Sequence, residues 1–275
     1  LPCPENKVAD SAPVTTATLR RLKERGEKIS CVTAYDASFT HLLEEAGVEV
    51  VLVGDSLGMV VQGHDSTLPV TMEDMIYHAA CVARAGRSAL RIVDMPFMSY
   101  RRVDQALENA ARLMREGGAQ MVKLEGGEAV VDIVQALTTQ GIPVCAHLGL
   151  TPQSVHQLGG YRVQGREATA AQRLHDDALR LQEAGASVLV LECIPAALAR
   201  QVSAGLHIPT IGIGAGPDCD GQVLVLYDLL GITPGKRPSF SHDFLADAAD
   251  IPAALRAFVE AVKAGRFPDA QHSFD

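Results

Sequence analysis

This 275-residue chain is short of positive charge: 24 Lys and Arg stand against 33 Asp and Glu, a net charge of −9. That balance argues against the global electrostatics of a nucleic-acid binder. Its densest basic stretch, "RRLKER" at 20–25, has helical spacing and contains Glu24, so it reads as a solvated helix face. Nowhere is there an uninterrupted apolar run of the ~18 residues that a transmembrane helix needs. Cysteines number six and form no CxxC pair. Cys31, Cys81, Cys145 and Cys193 lie inside apolar patterns, which suits small buried thiols in a reducing cytosol better than disulfides or zinc. The opening "LPCPENKVADSA" has turn formers but no apolar core, so residues 1–13 read as a flexible N-terminal tail and not as a signal peptide.

What the chain does have is 47% hydrophobic residues, arranged in recurring short runs. Eight of them, at 29–35, 48–55, 89–95, 120–126, 143–149, 187–193, 209–215 and 223–229, are continuous and rich in Val, Ile and Leu. Parallel strands covered on both faces look like this. Helical period fills most of the gaps. "SFTHLLEEAG" puts Phe39, Leu42, Leu43 and Ala46 on one face. "VDQALENAARLMREGG" does the same with Val103, Ala106, Leu107, Ala110 and Leu113, then stops at Gly117 and Gly118. "GPDCDGQ", before the last strand, is too short for more than a turn. "TTATLRRLKERG" predicts an extra helix ahead of the first strand, and "IPAALRAFVEAVKAG" one at the end. The alternation predicts an α/β fold, a (β/α)8 TIM barrel over 14–275 as a single domain; a doubly wound open sheet is the alternative.

Polar residues then collect where a parallel barrel places its chemistry, at the C-terminal ends of the strands. They are Asp36, Asp55, Asp94, Glu125, His147 and Glu192, with Asp228 near the end of the last run. Carboxylates converging on one mouth repel one another, and a divalent cation is the simplest neutraliser. With one histidine and no cysteine cluster, the set suits a hard ion, Mg²⁺ first and Mn²⁺ second. Lys123 and Glu125 are two apart on a strand and so share a side; neither suits the apolar helix layer, and they form either a working site or an internal ion pair. "GIGAG" at 212–216 offers phosphate-binding amides or simply a close approach of the loop to another group.

"GDSLGMVVQGHDSTLPVT", "MVKLEGG", "HLGLTPQSV", "GGYRVQGR", "LECIP" and "IGIGAG" resemble, in order, the motifs of the ketopantoate hydroxymethyltransferase family, from about Leu19 to Phe274. The resemblance implies a one-carbon transferase acting on 3-methyl-2-oxobutanoate, with 5,10-methylenetetrahydrofolate as co-substrate and one Mg²⁺ per subunit. Asp55 and Asp94 would hold the metal and Glu125 approach it through water. Asp55, Ser56, Asp94, Lys123 and His147 would bind the keto acid, and Glu192 would be the catalytic base. It also implies a cytoplasmic homo-oligomer, a decamer of two five-membered rings, with no nucleic-acid or membrane partner. Two alternatives stay open: a metal-dependent C–C lyase acting on a 2-oxo or phosphoenol acid, and a non-catalytic metabolite-binding barrel, against which costly polar groups inside the barrel speak. Asp36 and Asp228 are expected to be structural.

Overall fold

The computed structural model describes residues 12–233 and 235–275; the expected tail, apart from its last two residues, lies outside the described residues. The strands are β1 (Ile29–Thr33), β2 (Val50–Val53), β3 (Leu90–Asp94), β4 (Met121–Glu125), β5 (Val144–Gly149), β6 (Val188–Glu192), β7 (Thr210–Ile213) and β8 (Gly221–Leu224). All neighbours are parallel, they follow one another in chain order, and β8 closes on β1. The open-sheet alternative is thereby excluded.

Side-chain alternation divides the apolar residues into two cores. Ile29, Cys31, Val50, Leu52, Leu90, Ile92, Met121, Cys145, Val188 and Val190 fill the barrel interior. Their chain neighbours Val32, Val51, Val53, Val93, Val122, Leu124, Val144, Ala146, Leu189 and Leu191 face the helix layer. Period two therefore fixes the inward set: on β4 it is Met121, Lys123 and Glu125, and on β5 Cys145 and His147. The helix Thr16–Glu24 closes the floor of the barrel. It starts with a reciprocal Thr15–Thr18 cap and drops Leu19, fully buried, into the interior cluster. Burying that one side chain is worth roughly 1.5–3 kcal/mol.

The last strand departs from expectation. It begins at Gly221 and ends at Leu224, and Leu226–Leu229 is a helical turn instead of strand. "VLVLYDLL" is apolar at either period, so periodicity alone cannot place the break. One contact fixes where the strand starts and another where it breaks. Gly221 lies so close to the Ile29 carbonyl that any Cβ would collide with it. Thr33 Oγ1 accepts from the Leu226 amide at 2.9 Å and so anchors the start of the turn. As expected, no helix forms between β7 and β8. Asp36 caps the helix Ala37–Glu45, accepting from the Phe39 amide at 2.9 Å, a structural role. All five cysteines among the described residues are free, and no helix among them is long and apolar enough to cross a membrane.

Candidate active site

Strand register assembles the site. Asp94 on β3 pairs with Lys123 on β4, Glu125 on β4 with His147 on β5, and Gly149 on β5 with Glu192 on β6. Two polar pairs thus stand side by side across β3–β4 and β4–β5, and Glu192 stands one inward-facing position further along β6 than the residue paired with His147, Val190. Lys123 Nζ lies 2.9 Å from Asp94 Oδ1. His147 bridges two acids, with Nδ1 3.2 Å from Glu125 Oε1 and Nε2 3.2 Å from Glu192 Oε2.

Asp55 joins from the turn after β2. Its amide donates to Asp94 Oδ2 at 3.1 Å, so the two carboxylates are held close by backbone as well as by strand order. Ser56 follows; its hydroxyl is 2.8 Å from the Tyr35 hydroxyl at the end of β1. A Cβ at Gly54 would come within 2.8 Å of Ser56 Oγ, so a side chain here would have to turn that hydroxyl away. The motif that begins as a greasy strand thus turns polar where the barrel opens.

These residues lie at the bottom of one cavity of about 880 Å³ at the C-terminal mouth of the barrel, within the size of small-molecule sites. Access differs among the acids. The Glu192 side chain is 15% exposed, against 4% for Asp94 and 3% for Glu125. Of the acids gathered on the cavity floor, Glu192 is thus the one best able to meet a molecule entering the cavity. Cys193, next to it, has φ 47, a left-handed conformation that costs a non-glycine residue about 1–3 kcal/mol.

The electrostatics follow from burial and crowding. Burial, then Asp94 and Glu125, push Asp55 well above the ordinary carboxylate range. Burial works against the charge on Lys123, but Asp94, Glu125 and Asp55 outweigh it and raise the ammonium above its usual value. Burial and Lys123 likewise disfavour a charged His147; the Glu125 and Glu192 carboxylates, each 3.2 Å from a ring nitrogen, prevail and lift it to about 9. Glu125 is held below its usual value, with His147, Lys123 and the Gln153 amide outweighing burial. Four carboxyl groups, Asp55, Asp94, Glu125 and Glu192, therefore face one lysine and one histidine.

That excess, in an all-oxygen donor set, fits a hard divalent cation. Asp94 Oδ1 is buried and touches Lys123 without a well-directed hydrogen bond, so it retains a free lone pair. Among the described residues no three His, Cys, Asp or Glu side chains form a ready-made metal cluster. Asp55 and Asp94 could offer two protein oxygens to such an ion, and Mg²⁺ is one that keeps waters and substrate oxygens in its shell. One Glu125 oxygen lies 3.2 Å from His147 Nδ1, and the other accepts from the Gln153 backbone amide at 3.0 Å.

Sequence reasoning missed Gln153. It is buried in the turn after β5, and its side-chain amide donates to Asp55 Oδ2 at 2.8 Å and to the Met95 carbonyl at 3.0 Å. Tyr100 donates to Gln153 Oε1 at 2.5 Å, which fixes the amide's orientation. The clue was Pro152, a helix-starting residue just past a strand end, where the next side chain faces the mouth. Asp228, on its helical turn, accepts from Thr233 Oγ1 at 2.5 Å, although it also borders the cavity. The glycines of 212–216 are explained by close approach. A Cβ on Gly214 would stand 3.0 Å from the Phe240 and Phe274 rings, and one on Gly216 2.5 Å from Ala196.

Comparison with known proteins gives this geometry its setting. The barrel is similar to a phosphonopyruvate hydrolase solved with oxalate and Mg²⁺ (TM-score 0.58, 14% identity, 76% of this chain and 80% of that one). It is also similar to 2,3-dimethylmalate lyase (TM-score 0.55, 18% identity, 78% of this chain and 82% of that one). At those identities the likeness concerns the fold. The sequence is 61% identical over 261 residues to 3-methyl-2-oxobutanoate hydroxymethyltransferase of Nitrosococcus oceani, covering 95% of this chain and 99% of that protein. It is 60% identical over 262 residues to the enzyme of that name from Alkalilimnicola ehrlichii, covering 95% of each. The family description "Ketopantoate hydroxymethyltransferase" matches residues 13–270, and the chain belongs to that family of transferase enzymes.

Proposed function

We propose that this enzyme transfers a one-carbon unit from 5,10-methylenetetrahydrofolate to 3-methyl-2-oxobutanoate, giving ketopantoate, with Glu192 as base and Mg²⁺ held by Asp55 and Asp94. One observation carries the reading. In a chain of this family, a single cavity brings the Asp55–Asp94 pair, the Lys123 ammonium and the partly accessible Glu192 together.

A bound Mg²⁺ would supply positive charge beside the keto oxygen as negative charge develops there. Lys123 and Ser56 bind the keto acid's carboxylate and oxo oxygens through a cation and a hydroxyl. Glu192, steered on one oxygen by His147, accepts the proton from C3. The electron pair released at C3 forms the new bond to the one-carbon unit. Both bonds from that carbon to the carrier's N5 and N10 break, and tetrahydrofolate leaves with two protons, one from C3 by way of Glu192 and one from the water. Water supplies the oxygen of the hydroxymethyl group. Lys123 acts here as an ammonium; its ion pair with Asp94 makes it a poor nucleophile for a Schiff base.

The family also supports a place early in pantothenate and coenzyme A biosynthesis. With it go a cytoplasmic location, a single catalytic domain over 14–275 and a homo-oligomer of two five-membered rings. The test is direct. Purified protein, keto acid, Mg²⁺ and 5,10-methylenetetrahydrofolate should yield ketopantoate, and omitting any one should abolish it. Carbon–carbon chemistry on a 2-oxo acid without a folate donor would favour the lyase alternative instead.

A further inference from the structure

Behind Ser56 stands a buried tyrosine, Tyr35, which is 3% exposed; Ser56 borders the cavity and Tyr35 does not. Tyr35 lies two residues past Thr33, the last residue of β1. The Ala34 amide still donates to the Leu52 carbonyl at 3.0 Å, so the strand's alternation carries on and Tyr35 shares the inward side of Thr33. The ring is clamped: the His78 ring meets it edge-on at 6.5 Å between centroids, and the Tyr227 ring lies at 6.0 Å. The backbone is fixed as well, by His78 Nδ1 at 2.7 Å from the Tyr35 carbonyl and by Asp36, which caps the next helix. A tyrosine held this firmly presents its hydroxyl to one place.

That place is Ser56 Oγ, 2.8 Å away. Ser56 precedes the short helix Leu57–Val60, a position where a serine ordinarily turns its hydroxyl onto a helix amide, but here it makes no such bond. Either hydroxyl of the pair can donate, and the neighbours decide which does. Thr33 is the other hydroxyl that acts on the Tyr35 oxygen. The Leu226 amide, which can only donate, already occupies a lone pair of Thr33 Oγ1 at 2.9 Å. The Thr33 proton is then left to turn to the tyrosine oxygen, and the tyrosine proton goes to Ser56. Were Ser56 the donor instead, its proton would face away from the cavity, and the buried phenol would have only the already engaged Thr33 to donate to. Burial also pushes the Tyr35 hydroxyl up from its ordinary value, so it keeps its proton.

Resting on the proposed reaction, in which Ser56 binds the keto acid, we infer that Tyr35 is a positioning residue: it donates to Ser56 Oγ and so aims the serine proton at the substrate's oxygens. The chain of bonds has one polarity throughout, from the Leu226 amide to Thr33, Tyr35, Ser56 and the keto acid, and bonds linked in this way strengthen one another. The device matters on a floor crowded with carboxylates. A Cβ on Gly54 would lie 2.8 Å from Ser56 Oγ and 3.6 Å from Asp94 Oδ2, so an acid stands in the same neighbourhood to draw the serine proton once the hydroxyl is free to turn. With Tyr35 on its lone pair, Ser56 faces the cavity as a donor.

The test is calorimetric binding of 3-methyl-2-oxobutanoate, with Mg²⁺, to the intact enzyme and to Y35F, S56A and Y35F/S56A. Y35F should weaken binding about five- to tenfold, the worth of one ordinary hydrogen bond. On the S56A background the same change should move binding by less than about twofold, because its effect runs through Ser56. Equal losses on the two backgrounds, or none on either, would overturn the inference, since the tyrosine would then only support the fold or do nothing. The direction of the bond is read without Y35F, from infrared spectra of wild type and S56A carrying ring-labelled tyrosine. The C–O stretch of a phenol that donates differs from that of one that accepts. Removing the acceptor in S56A should shift one tyrosine band away from the donor position, and an unshifted spectrum would overturn the inference even if Y35F failed to fold. Wild type that does not bind the keto acid would refute the proposed reaction and this inference with it; wild type that binds it and exchanges its C3 deuterium, without the coupling, would refute the inference alone.

Discussion

Replacing Gln153 with leucine keeps most of the volume and removes four hydrogen-bonding sites from a buried position. The amide's bond to Asp55 Oδ2 is charge-assisted and worth about 1.5–3 kcal/mol; those to the Met95 carbonyl and from Tyr100 are ordinary, about 1 kcal/mol each. Leucine restores some packing, and the Asp55 carboxyl can turn, so the net loss of stability should be roughly 2–4 kcal/mol. The functional effect should be separate. Gln153 holds Asp55 by its side chain and Glu125 by its backbone amide. Freed on one side, Asp55 should hold a divalent cation about 10–100-fold less tightly, the usual effect of losing a group that orients a ligand. Urea denaturation gives the first quantity, and Mn²⁺ titration followed by electron paramagnetic resonance gives the second without turnover. Y100F, which loosens the amide but leaves it in place, should show a smaller change in both. A Q153L protein within 0.5 kcal/mol of wild type, roughly, and binding Mn²⁺ within about twofold would refute the reasoning.

Three further outcomes are expected. Asp55→Ala and Asp94→Ala should each lose Mg²⁺-dependent turnover, because each removes one of two protein oxygens; full activity after exhaustive EDTA treatment would contradict the metal assignment. Lys123→Ala should raise the keto-acid KM and lower kcat, and borohydride with substrate should trap nothing on the wild-type enzyme; a labelled Lys123 peptide would reverse the ammonium reading. Gly149→Ala should destabilise the fold by roughly 2–4 kcal/mol, combining a strained φ of 98 with a collision against the Glu192 carbonyl and an Ile194 methyl at 2.9 Å. Denaturation curves matching wild type would show that the β5–β6 rim is softer than this packing implies.

Much of this architecture was legible in the sequence because parallel strands write their burial plainly. The runs at 89–95, 120–126, 143–149 and 187–193 matched β3 to β6 to within one residue at each end. The two-residue spacing of Lys123 and Glu125 correctly put both inside. What escaped depended on tertiary contact. β8 started earlier than its apolar pattern indicated, where Gly221 meets Ile29, and broke earlier because Thr33 anchors the turn at Leu226. Gln153 escaped because it is neutral and lies in a turn; its importance comes from Asp55, 98 residues away in sequence. The ion pairing of Lys123 with Asp94 and the bridging by His147 rest on strand register, which no local pattern encodes.

The central claim is that Glu192 removes the C3 proton of a keto acid held on the Asp55–Asp94 side of the cavity. Glu192→Gln keeps the side chain's size and much of its hydrogen bonding but cannot take up a proton. The measurement is exchange of the C3 deuterium of 3-methyl-2-oxobutanoate with water, with Mg²⁺ and without folate, followed by NMR alongside calorimetric titration of the keto acid. Wild type should exchange; the variant should bind the keto acid nearly as well and exchange about 10²- to 10⁴-fold more slowly. Exchange at the wild-type rate in Glu192→Gln would contradict the account and move the base elsewhere, with His147, in contact with Glu192 at 3.2 Å, the next group to test.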